Sequence, residues 1–181
     1  MWVRVRHRTQ IMTRMGMRKK RSQEYKTMNY NALVELCNKL HPKRNFDIVL
    51  RCWNVFPGDK NPGHFGEYES VVEEVCKGEA FSNIMAKCRR QVDLLWGEGQ
   101  PHLRVACVCD QGTHQSVAVS RVLQAVYRNL NFTSNGPYHL SQRKWSPKMC
   151  TSCERCRPNK KKEKLFESLA LAFSTNRIER C

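Results

Sequence analysis

The stretch LRVACVCDQGTHQSVAVSRVLQAV, residues 103–126, decides the fold of this chain. Its first seven residues form a nearly unbroken apolar run with two valines, which is typical of a strand covered on both faces. Residues 110–113 (DQGT) interrupt the run with turn-forming side chains. From His114 onward, apolar residues recur at helical spacing, at Val119, Val122, Leu123, Val126 and Leu130. The pattern predicts a strand, a tight turn and a helix.

The tight turn at residues 110–113 is the best candidate for a binding site. A strand that enters a helix through a glycine-containing turn leaves backbone N–H groups without partners at the start of the helix. The same end carries the positive pole of the helix dipole, which favours an anion such as phosphate. Either Asp110 or Thr113 is expected to cap the helix. We therefore expect an oxyanion to bind beyond Cys109.

The rest of the chain alternates between predicted helices and one further strand. Helices are expected over residues 31–40, 68–76, 81–96 and 164–173. FDIVLRCW, residues 46–53, is a strand candidate because it is rich in β-branched and aromatic residues. Strands separated by helices form a parallel sheet with helices on its faces. The expected fold class is therefore α/β, a single domain with a small, mainly parallel sheet flanked by helices.

Two loops are expected to meet at one edge of this sheet. Ligands of open α/β sheets bind beyond the carboxyl ends of the strands. If the two strands are parallel neighbours, the loops that follow Trp53 and Cys109 open at that edge. Further along, residues 134–137 (SNGP) predict a turn, with room for one more short strand nearby.

Positive charge is concentrated in two segments. The formal net charge is +16, and residues 1–23 contribute +8 because they contain no acid. Residues 142–164 carry nine Lys or Arg against two Glu. We expect a basic, disordered tail or targeting segment at 1–28, an α/β domain at 29–145, and a basic Cys-rich segment with a packed C-terminal helix at 146–181. The basic segments suit a nucleic acid such as RNA, and solvated tails are the alternative.

Composition indicates no membrane segment and no secretory signal. The apolar run at residues 169–173 has five residues, whereas a helix that spans a bilayer needs about 18. The basic start of the chain is not followed by an apolar signal region. An intracellular, reducing compartment is expected, with cytoplasm, nucleus and organelle left open. Free cysteines then act as small apolar side chains within predicted helices and strands, at Cys37, Cys52, Cys76, Cys88, Cys107 and Cys109.

A second cysteine pattern indicates a metal. Cys150, Cys153 and Cys156 are separated by two residues each in a polar, basic segment, which suits a structural zinc ion. A closed tetrahedral site needs a fourth ligand, for which His139, Cys181 and a loop residue near Cys109 are the candidates. Unliganded surface thiols are the alternative. A zinc-stabilised protein that binds nucleic acid is therefore one alternative function for this chain.

An enzymatic alternative arises at the turn itself. CDQGTHQS, residues 109–116, is similar to the loop of cysteine phosphatases, in which the sixth residue after the cysteine is an arginine. Here that position is Gln115, which lacks the positive charge and the forked donors of arginine. A thiol beside a helix start can still become acidic. A phosphatase or sulfur-transfer enzyme that depends on Cys109 is thus an alternative.

The same segment most resembles the C-terminal domain of the RapZ family of RNase adapter proteins. The matching residues are Cys109, Gly112, His114, Gln115, Ser116 and Val117. Weaker similarity lies upstream at Arg51 and at residues 64–66 (HFG), and downstream at residues 138–140 (YHL). Gln115 stands where the family has arginine, and Val49 stands where an acid is expected.

The resemblance implies a non-catalytic, oligomeric α/β module that binds an amino-sugar phosphate and RNA. No nucleotide cofactor is expected, because the chain has no phosphate-binding loop of the G-x-x-x-x-G-K-[ST] type. The residues expected to line the phosphorylated-ligand pocket are Arg51, Cys109, Asp110, Gln111, Gly112, Thr113, His114, Ser116 and His139.

Overall fold

The computed structural model of the chain describes residues 8–13, 27–53, 69–109, 115–139 and 160–175. The strands are β1 (Arg8–Thr13), β2 (Ile48–Arg51), β3 (His102–Val108) and β4 (Thr133–His139). The helices are α1 (Tyr30–Leu40), α2 (Glu69–Lys77), α3 (Glu79–Gly97), α4 (Gln115–Asn129) and α5 (Lys160–Thr175). The predicted helices are all present, with bounds that differ by a few residues.

The strands form one parallel sheet in the order β2-β3-β1-β4. This arrangement confirms the α/β class and the parallel sheet. β2 and β3 are parallel neighbours, with Leu50 opposite Cys107 and Arg51 opposite Val108. The segments that follow these two strands therefore leave the sheet at the same edge, as expected from the sequence.

The prediction of a disordered tail over residues 1–28 is wrong for one segment. Arg8–Thr13 forms β1, which lies between β3 and β4 in the sheet. The basic composition around this segment predicted disorder. Tertiary pairing overrides composition here, because a strand with a neighbour on each side hydrogen-bonds its backbone in both directions. Residues 1–7 and 14–26 lie outside the described part of the chain.

The turn predicted at residues 134–137 is instead part of β4. The register with β1 shifts there, since Gln10 pairs with Asn135 whereas Met12 pairs with Tyr138. One extra residue is therefore inserted in β4, which is a β-bulge. Pro137 has no N–H to donate, and a proline is tolerated in a strand at a sheet edge or a bulge. The turn-forming residues thus distort the strand without ending it.

β2 and β3 are buried on both faces, as the apolar run of β3 predicts. One face packs on buried side chains of α2, α3, α4 and α5. The opposite face packs on α1 through Leu33 and Cys37. Because successive residues of a strand point to opposite faces, the two sets separate cleanly. The first face carries Leu50, Cys52, Val105, Cys107 and Cys109, and the second carries Val49, Ala106 and Val108.

The ends of two helices follow from single residues. The side-chain oxygen of Asn29 accepts a hydrogen bond from the Ala32 N–H at 2.8 Å, so Asn29 is the N-cap of α1. α3 ends at Gly97, and Gly99 has a φ of 83°. This left-handed conformation costs glycine little and allows the Gly99 N–H to donate to the Trp96 carbonyl at 2.8 Å. No helix in the described ranges is both long and apolar enough to cross a membrane.

The six cysteines of the described residues form no disulfide, and five of them are buried. Burial raises the pKa of both Cys37 and Cys88 to about 12. In an unfolded chain a thiol titrates near about 8.5. Thiols with a raised pKa favour the folded state below the unfolded pKa, and this contribution is lost as pH rises toward the folded pKa.

We therefore expect the free energy of unfolding to fall as the pH rises above about 9. Urea denaturation at pH 7 to 11 measures this dependence. Replacing Cys88 by Ala should reduce the slope by up to about 1.4 kcal/mol per pH unit, because one coupled proton is lost. An unchanged slope in the variant would contradict the assignment of a protonated, buried Cys88 thiol.

Candidate functional site

The predicted binding site lies at the carboxyl edge of the sheet, at the junction between β3 and α4. Cys109 follows the last residue of β3, and Ser116 is the second residue of α4. The Cys109 Sγ donates a hydrogen bond to the Ser116 Oγ at 3.2 Å. Only 3% of Cys109 and none of Ser116 is exposed. The two ends of the segment 110–114 are therefore held together by a buried polar contact.

The helix that follows is buried on nearly all sides. α4 contacts β1, β3, β4, α2 and α5. Besides Ser116, its buried polar side chains are Ser120 and Gln124. The Ser120 hydroxyl donates to the Val117 carbonyl at 2.8 Å, and Gln124 accepts from Arg121. Ser116 differs from these two because its partner lies outside the helix, in the strand end that leads to the predicted site.

The start of α4 is suited to an anion. The first four N–H groups of a helix have no partner within the helix, and the dipole makes this end positive. Surrounding core packing excludes water from the first turn, since Ser116, Val117 and Ala118 are each 0% exposed. A low-dielectric environment strengthens the interaction of the dipole with a bound charge. The anion site at this junction stays a prediction, because residues 110–114 lie outside the described part of the chain.

The structure places some predicted ligand residues and leaves others outside its description. Asp110, Gln111, Gly112, Thr113 and His114 lie outside the described residues. His139 ends β4 in the same row of the sheet as Thr13, which pairs in turn with Cys107. One strand thus separates His139 from β3, a distance of about 10 Å between backbones. Its backbone lies at the predicted edge.

Arg51 and Cys109, both predicted ligand residues, belong to opposite faces of the sheet. Arg51 is opposite Val108 in the register, and Val108 belongs to the face that packs on α1. Cys109 belongs to the other face. The reason is the two-residue repeat of a strand, which sends neighbouring side chains to opposite sides of the sheet. Arg51 instead donates to the Met28 carbonyl.

The predicted zinc ligands Cys150, Cys153 and Cys156 lie outside the described residues, and the zinc ion stays a prediction. No group of three or more potential metal ligands occurs within the ranges that the structure describes. The enzymatic alternative depends on position 115. Gln115 is the half-buried first residue of α4 and provides no charge for a phosphate in transfer.

Sequence reasoning missed a polar cluster beside β2. It contains Tyr30 of α1, Lys87 and Gln91 of α3, Arg51 at the end of β2 and Trp53 just after it. The available signal was the four-residue spacing of Lys87 and Gln91, which places both on one side of a helix. That spacing alone does not show which other element approaches this side of α3.

The chain has no match among known protein families or among curated proteins. The resemblance to the RapZ family therefore stays a prediction from the residues of the 109–117 segment.

Proposed function

We propose that this protein is a non-catalytic binding domain of the RapZ C-terminal type. Its ligand is a small phosphorylated compound of the amino-sugar phosphate class, held where β3 leads into α4. The proposal includes RNA as a second partner, which the basic segments of the chain bind. The resemblance also implies association of the chain with copies of itself.

One observation carries the proposal, namely the hydrogen bond between Cys109 Sγ and Ser116 Oγ. It brings the end of a buried parallel strand against the first turn of a 15-residue helix. The connecting segment contains Gly112 and the residues that match the RapZ family. A short glycine-containing segment with both ends held close is a common backbone arrangement for binding phosphate.

A binding role is better supported than catalysis. Phosphoryl transfer needs a group that stabilises the charge that develops on the equatorial oxygens. Gln115 occupies the position of the arginine that stabilises this charge in cysteine phosphatases. Cys109 is almost fully buried and hydrogen-bonded to Ser116. These features favour a structural role for the thiol at the base of the site.

The test compares two buried serines of α4. Replacing Ser116 by Ala removes the contact with Cys109, whereas replacing Ser120 by Ala removes a hydroxyl of equal burial one turn later. Calorimetric titration with glucosamine 6-phosphate should show at least tenfold weaker binding for Ser116→Ala, or about 1.4 kcal/mol. Ser120→Ala should bind as the natural protein does.

The outcomes separate the proposed role from the enzymatic alternative. Equal losses in the two variants, or no binding of sugar phosphates by the natural protein, would contradict the proposal. Turnover of a phosphate ester that disappears in Cys109→Ser, with binding retained, would instead support an enzyme. Thermal unfolding of each variant shows whether a loss of binding reflects the site or the fold.

A further inference from the structure

The outer edge of β2 is covered by side chains in place of another strand. β2 is the last strand of the described sheet on this side. The Val49 N–H donates to the Tyr30 hydroxyl oxygen at 3.2 Å, and the Gln91 side-chain amide donates to the same oxygen at 2.9 Å. A free strand edge would otherwise offer unpaired backbone groups to another chain. Tyr30 thus joins α1 and α3 beside β2.

Three positive side chains gather around this junction. The Lys87 Nζ lies 4.6 Å from the centre of the Tyr30 ring, which is a cation–π contact. The pKa of Lys87 is lowered by partial burial and then by the positive charges of Arg51 and Arg90. Like charges disfavour the charged form of a lysine. Arg51 and Arg90 therefore each lie close enough to Lys87 to disfavour its charged form.

The described acids do not neutralise this group. Among side chains in the described ranges, the ion pairs are Lys77 with Glu74 and Arg89 with Asp93. Arg89 is the sequence neighbour of Arg90, but its guanidinium pairs with the Asp93 carboxylate. The cluster therefore combines three cations, Arg51, Lys87 and Arg90, and none of them belongs to either ion pair.

Several buried polar atoms of the cluster have no hydrogen-bond partner. They are the Nε of Arg51, the indole Nε1 of Trp53 and the side-chain Oε1 of Gln91. Ser134 Oγ is the fourth such atom in the described residues, so three of the four lie in this cluster. A buried polar group without a partner destabilises the folded state. A bound ligand would provide the missing partners.

We propose that Arg51, Trp53, Lys87, Arg90 and Gln91 form a second anion site, which binds the phosphate group of a hydroxylated sugar. Two N–H donors and three positive charges suit a phosphate better than a single carboxylate, since a phosphate monoester carries up to two charges. Arginine presents donors in a planar fork that matches phosphate oxygens.

The third unpaired atom of the cluster, Gln91 Oε1, indicates which group accompanies the phosphate in the ligand. Gln91 Oε1 is an acceptor, and its own amide nitrogen already donates to Tyr30. The ligand must therefore offer a donor beside its phosphate, and a sugar hydroxyl does so. Two sources carry this chemistry, a free sugar phosphate and the ribose-phosphate backbone of RNA.

This site is independent of the junction between β3 and α4. Arg51 lies on the face of the sheet opposite to Cys109, as the register shows. Loss of one site should leave the other intact. Ser116→Ala should therefore retain binding that depends on Lys87, and the two proposals fail separately.

The experiment measures binding to the full chain with matched charge variants. Lys87→Gln and Arg51→Gln each remove one charge from the cluster, whereas Arg89→Gln removes one from the same helix outside it. The probes are ribose 5-phosphate, by calorimetric titration, and a fluorescent 12-nucleotide single-stranded RNA, by anisotropy. Each cluster variant should bind the relevant probe at least tenfold more weakly, and Arg89→Gln less than threefold.

The choice of probe identifies the source of the phosphate. Lys87-dependent binding of ribose 5-phosphate indicates a free sugar phosphate, and dependence seen with RNA alone indicates the nucleic acid. A single-stranded DNA of the same base sequence should bind more weakly than the RNA, because DNA lacks the 2′-hydroxyl that would donate to Gln91. Equal losses in Lys87→Gln and Arg89→Gln, or no binding of either probe, would overturn the proposal. Lys87 is exposed, so its variant serves if Arg51→Gln does not fold.

Discussion

Replacing Gln10 by Pro is expected to destabilise the protein by more than about 3 kcal/mol. Gln10 lies in the middle of β1, opposite Arg104 on one side and Asn135 on the other. Each backbone N–H of an interior strand donates to one neighbour or the other. Proline removes one of these donors and leaves a carbonyl of the partner strand without its hydrogen bond. Total stabilities are about 5–15 kcal/mol, so such a loss is large.

The control for this experiment is Gln10→Thr, which keeps the N–H and introduces a residue that favours strands. Urea denaturation followed by circular dichroism should give an unchanged midpoint for Gln10→Thr, within about 0.5 kcal/mol. Similar stability of Gln10→Pro and the natural protein would show that β1 is not an interior strand. The disordered tail predicted from composition would then be correct for this segment.

Replacing Phe81 by Ala is expected to cost about 3–5 kcal/mol. Phe81 is 0% exposed near the start of α3, and its ring packs edge to face on Phe173 of α5, with centroids 4.9 Å apart. Removing the ring leaves a cavity between α3 and α5, and the surrounding helices relax only in part. Equilibrium denaturation in urea measures the loss.

Leu94→Ala provides a matched control on the same helix, because 62% of Leu94 is exposed. We expect this change to stay within about 0.5 kcal/mol. A double-mutant cycle of Phe81 and Phe173 should show a coupling of about 0.5–1.5 kcal/mol from the aromatic contact. Equal losses in Phe81→Ala and Leu94→Ala, or a coupling of zero, would contradict the packing of α5 on α3.

The amino-acid pattern predicted the elements well where local signals agree. The run before Cys109 is apolar enough for a strand with two covered faces, and β3 is such a strand. The cap at Asn29 and the glycine at Gly99 mark helix ends for local reasons that need no distant contact. The parallel order of β2 and β3 also followed, because a helical connection between strands favours it.

Pairing between distant segments could not be predicted from composition. Residues 8–13 have a basic neighbourhood, and their place between β3 and β4 depends on backbone groups more than 90 residues away. Residues 134–137 contain turn-forming side chains, yet they pair with β1 through a bulge. Local preferences are weak compared with the cooperative pairing of a sheet, so tertiary contacts decide such segments.

For the site, the spacing from Cys109 to Ser116 indicated a strand end beside a helix start, and the contact between their side chains was found. The placement of Arg51 depended on sheet register, and a shift of one residue would have sent its side chain to the other face. The sequence by itself determined the five helices and the strands β2 and β3, and where a phosphate-binding turn is expected, because these depend on residues a few positions apart. Only the tertiary structure decided that β1 lies inside the sheet, that Arg51 parts from Cys109, and that Lys87 and Gln91 meet Tyr30, because each depends on which distant backbone groups pair.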